Sequence, residues 1–168
     1  MSKIRNIDEV FHGYAISVGE DFRMERLQEF LTESNKIERK PPPTGTELYS
    51  AMYFLDRPTL LNLSDYVKKT SDAELRNKTG MNVRVGSHIA PKGGPWIFHS
   101  AKSLVDIAKD NLTPESAYRN HREYEHLHPF MDGNGRSGRL LWYLQMREKA
   151  PIGFLQQWYY QSLEFGRH

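Results

Sequence analysis

Pro129 restricts the fold of this chain more than any other residue. Upstream of it, Thr113-Pro114-Glu115 supplies a helix start: a capping hydroxyl, proline at the first position and an acid in the first turn. Ala117, His121, Tyr124 and His128 then fall at i, i+4, i+7 and i+11, on one helical face. Proline lacks an amide donor and disfavours the helical conformation in the residue before it, so the helix ends as it delivers His128. Gly133, Gly135 and Gly138 follow, and helical spacing resumes near Arg136 with Leu140, Leu141 and Leu144 as a buried stripe. The expected unit is helix, loop, helix, with the loop holding almost nothing to bury except Phe130.

The residue types in that loop call for chemistry rather than packing. Gly133, Gly135 and Gly138 satisfy G-x-G-x-x-G, but a helix enters the glycines where a dinucleotide fingerprint needs a strand, and no Gly-Lys-Ser/Thr ending makes a P-loop. What survives is a set of unhindered backbone amides converging on an anion at a helix N-terminus. Arg136 and Arg139, three apart on the first turn, suit a polyphosphate. Asp132 would repel phosphate unless a divalent cation lay between them, as Mg²⁺ does between a carboxylate and phosphate oxygens. His128 is then a base that titrates near neutrality and can take a proton from an incoming hydroxyl. Phe130 reads as the anchor that pins the loop. An alternative ligand set for zinc is His121, His126, His128 and Asp132, disfavoured because a hydrolytic metal site needs no glycines and arginines beside it. His121 and His126 read better as surface or helix-packing residues.

Elsewhere the punctuation is clear. Leu27, Leu31, Ser34 and Glu38 share a face of a helix over about 20–40, which Pro41, Pro42 and Pro43 stop. Thr44 and Glu47 have capping-box spacing ahead of Leu48, Ala51, Met52 and Leu55, and a further helix is expected from about Thr59 to Thr70. From Asn82 to Phe98, β-branched alternation broken by Gly86 and by the Pro91 to Pro95 cluster predicts a β-hairpin. Such a hairpin is marginal alone and lies on the helical body or waits for a partner to add a strand. A short helix is expected over Leu104 to Lys109, and a closing helix, with Trp158, Tyr159 and Tyr160, over about 152–165.

These elements predict a mainly α protein of one domain, 168 residues long. With no cysteine, disulfides, zinc fingers and thiol nucleophiles are excluded. A net charge of +2 is too small for a general nucleic-acid binder. No run approaches the roughly 20 apolar residues of a membrane span and no signal peptide is legible, so the expected setting is cytoplasmic.

His128 to Arg139 resembles the Fic family, whose motif His-Pro-Phe-x-Asp/Glu-Gly-Asn-Gly-Arg, with a second arginine after two intervening residues, is matched here at every fixed position. The resemblance runs from roughly Glu33 to Arg147 and implies a Fic-like helical bundle, with a core over about 44–147 and a flap hairpin over about 82–98. It implies transfer of AMP from ATP to a protein hydroxyl, with His128 as base, Asp132 holding Mg²⁺, and Gly133, Asn134 and Gly135 forming the hole for the α-phosphate. Arg136 and Arg139 would bind the outer phosphates, and Val83, Val85, His88 and Ile89 on the flap would dock the target, the protein itself included. Many Fic proteins also carry an inhibitory helix ending in Ser/Thr-x-x-x-Glu-Gly/Asn. Ser34 to Arg39 resembles it, which implies that Glu38 is aimed at Arg139; Arg39 stands where glycine or asparagine is expected. Transfer of UMP, phosphate or phosphocholine, removal of AMP, and a nucleotide-sensing binding module stay open as alternatives.

Overall fold

The computed structural model describes residues 23–110 and 114–146. The expected closing helix and the first nineteen residues lie outside them. The chain divides into two compact units, one of residues 45–146 and one of residues 1–44 with 147–168.

The described part of the second of these holds one helix, α1 (Arg23–Ile37). Leu27, Phe30, Leu31 and Ser34 are buried along it, at the spacing of one face. Its end is a Schellman motif: the Lys40 amide donates to the Asn35 carbonyl at 2.9 Å and the Arg39 amide to the Lys36 carbonyl at 3.0 Å. Glu38 is therefore the cap residue, and it is exposed, so the buried face stops at Ser34 and does not run on through Glu38.

Residues 45–146 form a helical bundle with a small hairpin: α2 (Gly45–Asp56), α3 (Leu60–Ser71), β1 (Arg84–Val85), β2 (His88–Ile89), α4 (Pro95–Lys109), α5 (Pro114–Leu127) and α6 (Asn134–Met146). The mainly α architecture expected from the sequence is present. The Thr59 side chain accepts from the Asn62 amide at 3.1 Å and starts α3 one residue later than expected. On α2 the fully buried face is Ser50, Ala51 and Phe54, with Leu48, Met52 and Leu55 only half-buried. The hairpin is shorter than its sequence suggests, because Trp96, Ile97 and Phe98 are not strand. Pro95 sits at the first turn of α4, where its missing amide costs nothing, and Ile97, Ala101, Val105 and Ala108 make a buried helical stripe from there on.

The largest difference concerns α6. An amphipathic helix was expected, but every residue from Arg136 to Met146 is buried. It packs against α3, α4 and α5 and forms the axis of the bundle. No described helix is long and apolar enough to cross a membrane.

Candidate active site

The site is built where α5 stops. His128 follows the last residue of α5 with its amide donating to the Tyr124 carbonyl at 3.0 Å and a φ of 48°, the left-handed cap that glycine usually occupies. A histidine held in that conformation is strained by the order of 1 kcal/mol or more, and persists only where its surroundings fix it. Pro129 enforces the break, and Arg76 supplies much of the fixing. The Arg76 side chain is fully buried and spends its guanidinium on four backbone carbonyls: Nε on His128 at 2.6 Å, Nη2 on Leu127 at 2.8 Å, and Nη1 on Met81 at 3.0 Å and Pro91 at 2.8 Å. Its own amide donates to Pro129 at 2.8 Å and its carbonyl accepts from Gly94 at 3.0 Å. Both ends of the hairpin and the end of α5 thus converge on one cation. Burial pushes its pKa down from the usual arginine value.

His128 Nδ1 bonds the Glu125 carbonyl. A carbonyl only accepts, so Nδ1 carries the proton and Nε2 is left with a lone pair. Burial holds the His128 pKa below that of an ordinary histidine, with the charges of His88, Arg76 and His126 acting the same way against the Glu125 bond. At neutral pH the ring is a neutral acceptor.

The loop is closed by one asparagine. Asn134 accepts from the Phe130 amide and donates to the Phe130 carbonyl, both at 2.9 Å, while the Phe130 ring is fully buried and Leu75 bridges its strand-like backbone. The Asn134 side chain is therefore a staple; what it offers an anion is its backbone. Helix geometry leaves the amides of Asn134, Gly135 and Arg136 without an acceptor inside α6, whose first backbone bond is Ser137 to Gly133 at 3.0 Å. Gly133 has φ of 76°, and a Cβ there would lie 2.4 Å from Ser71 Oγ, so no other residue lets the loop approach α3 so closely. Asp132 is exposed and its Oδ1 accepts from the Gly133 amide at 2.8 Å.

The two arginines have different surroundings. Arg136 is buried, and its Nη2 donates to the Thr70 carbonyl at 3.0 Å and to Ser71 Oγ at 2.8 Å, tying α6 to the end of α3. That strut was not foreseen. Arg139 is 2% exposed. Its charge, after burial itself, helps keep His121 unprotonated; the His121 pKa is pushed down to about 3. His121 is a helix-packing residue: it is 1% exposed, its Nδ1 bonds the Gly138 carbonyl at 3.1 Å, and its neutral ring 3.8 Å from Glu125 makes no ion pair. Gly138 allows that approach, since a Cβ would lie 2.5 Å from Glu125 and 3.0 Å from Tyr124. Tyr124 in turn bonds Ser137 Oγ at 2.7 Å, and Ser137 Oγ donates to the Gly133 carbonyl at 2.7 Å.

On the hairpin, Arg84 pairs with Ile89 and Val85 with His88, so the expected docking residues fall on two faces: His88 shares one with Val85, and Ile89 lies on the other. Val85 and Ile89 are exposed; Val83 and His88 are half-buried. Among the described residues no three His, Cys, Asp or Glu side chains form a group able to hold a metal ion. The exposed Asp132 carboxylate suits Mg²⁺, which takes most of its ligands from phosphate and water, better than it suits zinc.

Arg76 carries no sequence signal, standing in a polar connection between α3 and the hairpin. A search of curated proteins finds no match. The profile of the Fic/DOC family matches residues 54–146. That stretch runs from the end of α2 through the last residue of α6, more than half of the 168 residues and all of the histidine-loop-arginine unit, and the chain accordingly belongs to the Fic/DOC family.

Proposed function

We propose that this protein transfers AMP from ATP to a hydroxyl side chain of a target protein. Membership of the Fic/DOC family supports a transferase. The observation that supports the finer reading is the bond of His128 Nδ1 to the Glu125 carbonyl, which assigns the ring proton to Nδ1. With Nδ1 committed to the Glu125 carbonyl, Nε2 is the acceptor for the hydroxyl proton as the oxygen attacks the α-phosphorus and pyrophosphate leaves. The amides of Asn134 and Gly135 that open α6 stabilise charge developing on the α-phosphate, while the Gly133 amide is held by Asp132. Asp132 would hold Mg²⁺, which would supply positive charge against that building on the leaving pyrophosphate. Arg139 takes the outer phosphates, and Arg136, with Nη2 spent on Thr70 and Ser71, contributes mainly by fixing the loop.

Inhibition by Glu38 is the reading we attach to the Ser34 to Arg39 motif. The test uses ATP labelled at the α- or γ-phosphate with parent, His128→Ala and Glu38→Gly proteins. Label retained from the α position only, lost in His128→Ala and increased in Glu38→Gly, is expected. Retention of γ label would replace AMP transfer with phosphate transfer, and equal labelling of parent and Glu38→Gly would remove the inhibitory role.

A further inference from the structure

His88 is assigned to the target-facing surface by its place on the hairpin, yet its side chain points elsewhere. Its Nε2 bonds the carbonyl of His126 at 3.1 Å, in the last turn of α5, where helix geometry leaves carbonyls without an intrahelical donor. Nε2 must be the donor in that bond. The His88 ring centroid lies 5.0 Å from that of His126 and 5.9 Å from that of His128. The hairpin strand is two residues long, too short to hold its own position, and this bond is a side-chain tether from it to the helix that presents the base.

We propose that His88 is a positioning residue for His128: it caps the last turn of α5 from the hairpin and lays its ring beside the base, so that whatever binds the hairpin is felt at His128. The proposal rests on the reading of His128 as the base. Two consequences follow from the geometry. Displacing the hairpin removes a donor from the turn that fixes the His128 backbone. Protonating His88 places a cation beside His128, which already faces Arg76 from the connector and His126 and the Glu125 carbonyl from its own helix. The charge of His88 beside the ring lowers the His128 pKa, so His128 stays in the accepting form to lower pH than it would alone.

Two variants separate these effects. His88→Gln keeps an amide donor able to reach the His126 carbonyl and removes the titratable charge; His88→Leu removes both. The His128 imidazole is titrated by NMR in the nucleotide-free protein, and α-label transfer is followed against pH and ATP concentration. In both variants the His128 midpoint is expected to rise by about half a pH unit or more, half a unit being the value for charges some 6 Å apart in bulk water. The acid limb of label transfer should rise with it, at unchanged KM for ATP. Only His88→Leu should lower kcat on the alkaline plateau and speed amide exchange at His128. An unmoved His128 midpoint in both variants, or a plateau kcat in His88→Leu equal to that of the parent, overturns the proposal. If the His128 midpoint rises in both variants as expected but the parent transfers no α label, AMP transfer is overturned instead, and the contact between the rings stands.

Discussion

Arg76 Nε donates to the backbone carbonyl of His128 across 2.6 Å, joining residues 52 positions apart in the chain. The same guanidinium holds the Leu127, Met81 and Pro91 carbonyls, so His128 and both ends of the hairpin share one support. Hydrogen bonds from a charged donor are worth about 1.5–3 kcal/mol each, and stranding buried carbonyls costs more than never having paired them. Arg76→Met is expected to lower stability by about 3 kcal/mol or more, seen as a lower urea midpoint at unchanged slope. Arg76→Lys, which retains the charge and up to three donors but not the planar fork, should fall between the two.

Gly133 is held by conformation and by space at once. Gly133→Ala places a methyl against Ser71 and forces a residue with a side chain to φ of 76°, for a combined cost of about 2–4 kcal/mol. Adding Ser71→Gly removes the clash and leaves the conformational cost, so the double variant should be more stable than Gly133→Ala alone. A double-mutant cycle by thermal melting reads this coupling, corrected by the cost of Ser71→Gly itself, which loses the Arg136 bond.

Arg39 has φ of 56° at the left-handed position of the Schellman motif that ends α1. This gives a physical reason for glycine or asparagine at that place in the inhibitory motif: they adopt it at least cost. Arg39→Gly should stabilise the helix end by a few tenths to about 1 kcal/mol, read from amide exchange at Arg39 and Lys40. If Glu38 inhibits, the same change should reduce self-labelling by sharpening the position of its neighbour. Higher self-labelling in Arg39→Gly would contradict that link.

Burial of His121 makes part of the protein's stability depend on pH. Its folded pKa of about 3 lies below the unfolded value near 6.5, so the unfolded chain binds the proton first as pH falls. The contribution is fully present above about pH 6.5, is lost progressively below it, and ceases to change near pH 3. By pH 5 the loss is about 2 kcal/mol. Melting temperatures from pH 7 to 5 should fall less steeply in His121→Asn, which keeps a donor for the Gly138 carbonyl without titrating.

Local chemistry determined the punctuation of this chain and the residue types of its candidate site. Proline and glycine act on their own backbone and on the residue beside them, so the break at Pro129 and the loop from His128 to Arg139 were legible without neighbours. The same holds for most helix boundaries, since caps and apolar spacing are short-range signals. Where the sequence misled, distant contacts decided. The run Trp96-Ile97-Phe98 has strand-like residues, but Pro95 and the stripe from Ile97 to Ala108 make it the start of α4. The polar residues of α6 suggested a solvent face; inside the bundle Arg136 meets the end of α3 and Ser137 meets Tyr124, so they are buried with partners. Arg76 and His88 were invisible as supports of His128, because their roles exist only when the connector, the hairpin and the end of α5 are brought together. Residue types specified what chemistry the loop can do, and long-range packing alone decided which atoms hold it in place.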